Sequence, residues 1–122
     1  MTLYLSLDAA LYQTKTLGFF VKDAGLLEAA LSRPRTSAFG EEVYTTLELK
    51  AASIMHSIIR NHPMIDGNKR TAWALMVTFI FINGYVHDMN DDEGFDLTLG
   101  IAEGRYELEQ AAAIIKSHLI SL

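Results

Sequence analysis

No cysteine occurs anywhere in the sequence. That absence excludes a disulfide framework, a thiolate zinc site and a cysteine nucleophile, and it suits a reducing compartment, so the cytoplasm is the expected location. Proline is almost absent as well, with Pro34 and Pro63 alone. There is also no Gly/Ser-rich linker, internal repeat or low-complexity stretch, and residues 1–122 read as a single domain. Long apolar runs are lacking. The longest, Ala72 to Ile82, is broken only by Thr78 and falls well short of the roughly 20 residues that cross a bilayer. The opening stretch from Met1 to Asp8 has neither the basic region nor the cleavage site of a secretory signal, so no membrane association is expected. Positive charge is in deficit: 10 Lys and Arg stand against 15 Asp and Glu, a formal net charge of −5. A broad electrostatic grip on DNA or RNA needs many cations, so direct nucleic-acid binding is not expected and any phosphate binding must be local.

What is present reads as helix. Half the residues are hydrophobic and a fifth are charged, a balance that folds. Ser6 caps a first helix running toward Leu17, and Asp23 caps a second, Ala24 to Leu31, which Pro34 stops. Arg35 to Tyr44 is irregular, with room for a short hairpin or flap. A long pattern from Thr45 to about Asn61 places Leu47, Ala51, Ile54, Ile58 and Ile59 near the 3.6-residue period. The next helix, about Asn68 to Asn83, is apolar on almost every face and is expected at the centre of the fold, closed by Asn83-Gly84. Two more follow, around Phe95 to Ala102 and about Glu107 to Leu119. No convincing alternation of apolar and polar β-branched residues appears. The fold class is all-α, a helical bundle around one buried central helix.

Arg60-Asn61-His62-Pro63-Met64-Ile65-Asp66-Gly67-Asn68-Lys69-Arg70 concentrates bases, an imidazole, a carboxylate and a glycine between two apolar helices. Gly67 permits positive φ and a tight turn into the following helix. The unpaired N–H groups at that helix start, together with its dipole, form an anion site to which Asn68, Lys69 and Arg70 add side-chain donors. Cations at a helix N-terminus oppose the dipole, so their presence there points to an anion that compensates. Asp66 becomes useful in such a pocket when a cation joins it, and one carboxylate plus phosphate oxygens is a common way to hold Mg²⁺. His62, fixed by Pro63, has an intrinsic pKa suited to a general base.

His-Pro-Met-Ile-Asp-Gly-Asn-Lys-Arg resembles the signature of the Fic/Doc family, His-x-Phe-x-Asp/Glu-Gly/Ala-Asn-x-Arg. The resemblance extends to Ala24–Leu31 with Arg33-Pro34, to Tyr44-Thr45-Thr46-Leu47 and to Asn83-Gly84-Tyr85, which recur in death-on-curing (Doc) toxins of type II toxin–antitoxin systems. It implies an α-helical fold and ATP-dependent modification of a protein hydroxyl. In that scheme His62 is the base, Asp66 carries magnesium, Asn68, Lys69 and Arg70 hold phosphates, and Arg60 assists. Met64 stands where the family usually has an aromatic residue, and Met is an adaptable apolar substitute. Lys69 replaces the glycine of AMP-transferring Fic proteins, and Trp73 replaces their further arginine. Both differences resemble Doc. They imply transfer of the terminal phosphate to a threonine of elongation factor Tu, which blocks translation. AMP transfer and a catalytically silent nucleotide- or partner-binding module remain the alternatives. The inhibitory Ser/Thr-x-x-x-Glu-Gly/Asn pattern is not matched: Ser37-Ala38-Phe39-Gly40-Glu41-Glu42 comes closest but ends in Glu42. An inhibitor supplied by a separate antitoxin protein is then the expectation by resemblance.

Trp73, Leu75, Met76, Phe79 and Ile80 read as core. Asp88 to Gly94 looks superficially like a calcium loop, but its glycine falls one place late and Leu99 occupies the closing position, so a solvated loop and helix cap is the better reading. His56, His87 and His118 lack paired metal spacing and are assigned no role.

Overall fold

The computed structural model describes all 122 residues. Six helices are joined by two small antiparallel strand pairs. Helix α1 (Leu7–Thr16) starts where the Ser6 hydroxyl accepts the N–H of Ala9, and α2 (Ala24–Ser32) where the Asp23 carboxylate accepts that of Leu26. These are the two caps the sequence indicates. A 3-10 turn, Arg33–Arg35, follows with the buried Pro34 at its start. The expected flap is a hairpin of β1 (Ser37–Ala38) and β2 (Glu41–Glu42). Its turn, Phe39-Gly40, has φ +54° and +80°, the mirror-image geometry that follows the right-handed twist of paired strands.

Helix α3 (Leu47–Asn61) is the hub of the bundle and packs against α2, α4 (Asn68–Ile82), α5 (Asp91–Ala102) and α6 (Leu108–Ser117). The sequence points to α4 for that place, on hydrophobicity. The structure gives it to α3, whose small residues Ala51, Ala52, Ser53 and Ser57 are buried and let neighbours approach closely. On α4, Ala72, Leu75, Met76, Phe79 and Ile80 are buried, but Trp73, Ala74, Val77 and Thr78 are only half-buried and Phe81 is exposed. One stripe of α4 is therefore left uncovered.

Two elements differ from the reading of the sequence. Helix α5 starts at Asp91, not near Phe95, because Asn90 and Glu93 form a reciprocal capping box and Asp91, Asp92 and Glu93 lie at the positive end of the dipole. A second strand pair, β3 (Tyr85–His87) with β4 (Leu119–Ser121), joins segments too short and too far apart to announce themselves by alternation. Both chain ends meet at this corner. The Asn83 side chain accepts the N–H of Leu3 at 2.7 Å and donates to the carbonyl of Leu3 at 2.9 Å, while the N–H of Leu122 reaches the carbonyl of Gly84.

The hairpin is moored to α3 by a buried lysine. Lys50, 2% exposed, donates to the carbonyl of Tyr44, to that of Pro34 at 3.5 Å, and to the Glu42 carboxylate at 3.0 Å. Arg33 adds bonds to the Tyr44 hydroxyl (2.8 Å) and the Ser57 hydroxyl (3.0 Å). Replacing Lys50 with methionine keeps the stem but strands the carbonyls. It is expected to cost about 1–3 kcal/mol in urea unfolding and to speed amide exchange across residues 36–44 ahead of the rest of the chain.

Candidate active site at the start of the fourth helix

The loop between α3 and α4 carries the chemistry-bearing residues. His62 ends α3 in the left-handed region, φ +53° and ψ +61°, its N–H donating to the carbonyl of Ile58. A side chain other than glycine there costs on the order of 1–2 kcal/mol, and such strain tends to persist where surrounding structure holds it for a purpose. The imidazole is exposed and has no hydrogen-bond partner in the chain.

What holds the loop is the segment between α1 and α2, an element that no motif signals. Residues 19–23 run alongside residues 63–65. The carbonyl of Pro63 accepts both Lys22 N–H (2.8 Å) and Asp23 N–H (3.0 Å), and Ile65 N–H donates to the carbonyl of Phe20 (3.0 Å). Val21 and Met64 form an antiparallel bridge. Met64, in the place of the usual aromatic plug, is 1% exposed. From the other side, Asn68 clamps Met64, its Oδ1 accepting the Met64 N–H (2.9 Å) and its Nδ2 donating to the Met64 carbonyl (3.2 Å). The Asn68 side chain therefore shapes the loop, and its backbone N–H is left without an acceptor.

Helix α4 begins at Gly67, φ +76°. The Asp66 carboxylate accepts the N–H of Gly67 at 2.8 Å, while the N–H groups of Asn68, Lys69 and Arg70 have no backbone acceptor. Lys69 and Arg70 are exposed at the same helix end and pair with no carboxylate. Helix end and side chains thus add their positive charge in one place. Asp66 keeps one carboxylate oxygen free of hydrogen bonds. No three acidic or histidine side chains are arranged to hold a metal ion by themselves, so the protein offers a magnesium ion one carboxylate at this loop. That fits the ion when phosphate oxygens and water supply the remaining ligands.

Arg60 is exposed on the last turn of α3. Its guanidinium reaches the turn after α5, with Nη1 3.9 Å from where a Cβ on Gly104 would lie, and no hydrogen bond joins it to Asn68, Lys69 or Arg70. It also acts on His56, a half-buried imidazole whose pKa lies below the ordinary 6.5 because of burial first and then the charges of Arg33 and Arg60.

Beside Lys69 and Arg70 opens a cavity of about 700 Å³ bordered by Phe19, Trp73, His87 and Phe95. Trp73, read from sequence as packing alone, forms part of its wall. His62 does not line it. No pattern in the sequence singled out Phe19, which lies over Gly67 so closely that an added Cβ would come within 2.4 Å of its ring.

A strained histidine, a glycine-initiated helix with bare amides and two unpaired cations thus stand on one short segment, residues 62–70, of a helical protein. The profile of the Fic/DOC family matches residues 2–80. "Toxin Doc" of Mycolicibacterium smegmatis (strain ATCC 700084 / mc(2)155) is 43% identical over 95 residues, covering 76% of this chain and 73% of that protein. "Protein kinase doc" of Escherichia phage P1 is 30% identical over 96 residues, 79% of this chain and 75% of that one. The chain belongs to the Fic/Doc family. No helix is long and apolar enough to cross a membrane.

Two predictions follow from this geometry. Gly67→Ala should destabilise by about 1–3 kcal/mol, through left-handed strain and overlap with Phe19. Adding Phe19→Ala should recover part of that loss, so the thermal midpoints of the single and double variants will be non-additive. A histidine with a depressed folded-state pKa stabilises the fold fully above its unfolded value, and the contribution is lost as pH falls below 6.5. His56→Gln should therefore flatten the fall in unfolding midpoint between about pH 7 and 5.

Proposed function

We propose that the chain is a Doc-like toxin enzyme that transfers the terminal phosphate of ATP to a hydroxyl of a partner protein. The observation that carries this reading is the unneutralised positive end of α4: bare N–H groups with Lys69 and Arg70 beside them and no acidic partner, on the loop that also carries the exposed imidazole of His62. Phosphates are the anions that such an end accommodates. His62 accepts the proton of the attacking hydroxyl. The hydroxyl oxygen bonds to the terminal phosphorus as the bridging oxygen–phosphorus bond breaks, and ADP leaves with the electron pair of that bond. Lys69, Arg70 and the helix amides hold the phosphate charge in place, which is most of what phosphoryl transfer requires of a protein. Asp66 would hold magnesium, whose charge would help neutralise the phosphates.

Terminal-phosphate transfer is favoured over AMP transfer by Lys69, which places a compact charge where AMP-transferring relatives have glycine, and by Trp73, where they have a further arginine. The name of the phage P1 relative is in keeping. By the same likeness, the substrate is a threonine of elongation factor Tu, with arrest of translation as the result, and a separate antitoxin restrains the enzyme. Incubating the pure protein with elongation factor Tu and ATP labelled at the α or the γ position checks the reaction. Label should pass to the factor from γ only, and label from α would replace this reading with AMP transfer. His62→Ala should lower the rate about 10²–10⁴-fold while leaving the thermal midpoint nearly unchanged, since the exposed imidazole makes no hydrogen bond and alanine keeps the Cβ that strains the left-handed backbone. An unchanged rate would leave a binding module.

A further inference from the structure

The segment laid across the α3–α4 loop presents a second face to solvent. Val21 and Met64 form an antiparallel bridge, with Lys22 N–H donating to the carbonyl of Pro63 at 2.8 Å and Ile65 N–H to that of Phe20 at 3.0 Å. That pattern sets Phe20 directly opposite Ile65, one step along from the bridge. Successive side chains of a strand turn to opposite faces, so Val21 and Met64 turn inward while Phe20, Lys22 and Ile65 turn out. Exposure follows this alternation. Met64 is 1% exposed and Val21 packs against the core, whereas Phe20 is 63% and Ile65 69% exposed.

Single exposed apolar side chains are common and carry no meaning. These two are paired across a ladder, where facing side chains lie about 5 Å apart and form one surface. The core does not use that surface, and neither residue borders the cavity beside Lys69 and Arg70. Ile65 is the third residue after His62 on the same loop. Three residues of extended chain span at most about 11 Å, so a polypeptide whose hydroxyl lies at His62 reaches this pair with a side chain about three residues away. Lys22 adds a charge of one sign. It is exposed and forms no ion pair. The carboxylates nearest in the chain are engaged, Asp23 with the N–H of Leu26 at 3.1 Å and Asp66 with that of Gly67. Two apolar groups beside a free cation are matched by a segment that offers an apolar side chain and a carboxylate.

We infer that Phe20, Ile65 and Lys22 form the docking surface for the segment of the substrate protein that carries the acceptor hydroxyl. That segment has an apolar residue within about three positions of the hydroxyl and an acidic residue near it. The inference rests on the reading of His62 as the base, and it deepens that reading by stating what the target looks like around the modified residue. Phe20 and Ile65 determine specificity: they touch the protein substrate, and neither ATP nor the phosphate in transit. Because the Ile65 N–H joins Phe20 to the loop that carries His62, a target seated on the pair is set against the imidazole in a fixed register.

Elongation factor Tu is the probe. Transfer of the γ label from ATP is followed at varied factor concentration for the unaltered full chain and for Phe20→Ser, Ile65→Ser and Lys22→Glu. Binding of the factor is measured separately by calorimetry, without ATP. All three side chains are exposed and their substitution spares the main-chain bonds, so thermal midpoints should stay close to that of the unaltered chain. Each variant should raise the KM for the factor about tenfold and weaken its binding in parallel. The kcat and the KM for ATP should not change, which is the pattern of lost substrate binding. The effect of Lys22→Glu alone should shrink at high salt. An unaltered KM in Phe20→Ser and Ile65→Ser overturns the inference and leaves the enzyme reading standing, with the target seated elsewhere. A fall in kcat together with a lower thermal midpoint reduces the pair to bracing the loop and also overturns it. Factor binding that the variants weaken, with no label transferred from ATP, upholds the surface and overturns the phosphotransferase reading. Neither binding nor transfer by the unaltered chain overturns both.

Discussion

A short stretch of backbone laid across the α3–α4 loop is what the site depends on. Within its own residues that loop has little to keep it in shape. It must hold His62 and Gly67 in the left-handed region, bury Met64, and leave the first amides of α4 bare. The three main-chain bonds from residues 20–23 to Pro63 and Ile65 contribute about 0.5–1.5 kcal/mol each. Together with the Asn68 clamp on Met64 they are enough to offset the strain at His62. Because the N–H groups of Lys22 and Asp23 converge on one carbonyl, and Asp23 also caps α2, the geometry of the loop is tied to the start of a helix that lies outside the motif.

The electrostatic arrangement has the same local character. A chain of net charge −5 nevertheless leaves two cations unpaired where a helix dipole already points its positive end. Much of its acidic charge lies where it serves helix starts, as in Asp91, Asp92 and Glu93 at α5, or moors the hairpin, as Glu42 does through Lys50. The negative surplus disfavours polyanions at large, while one helix end keeps its positive charge uncompensated.

Much of this was legible in the sequence because the responsible interactions are short in range. Ser6 and Asp23 cap the helices they were expected to cap, Pro63 and Gly67 bound the loop, and Phe39-Gly40 turns the flap. The start of α5 was written in Asn90 and Glu93, three residues apart, but a run of acids reads as solvated loop unless that reciprocal pair is sought. Other features depend on partners distant in the chain. The bridge of Val21 to Met64, the contact of Phe19 with Gly67 and the pairing of β3 with β4 leave no periodicity to find. Hydrophobicity ranked α4 above α3 for the centre. Small side chains decided otherwise, and the apolar surface left over on α4 includes Trp73, which borders the cavity.

The clip of Asn83 on Leu3, and of Gly84 on Leu122, brings the two termini to one corner at the far end of α4. That helix has 15 residues, so the corner stands about 20 Å along its axis from Gly67. A tag or fused protein attached at either end departs from the pole opposite Gly67 and leaves the start of α4 unobstructed. Joining the ends through a short linker and reopening the ring in another loop would preserve every contact around His62.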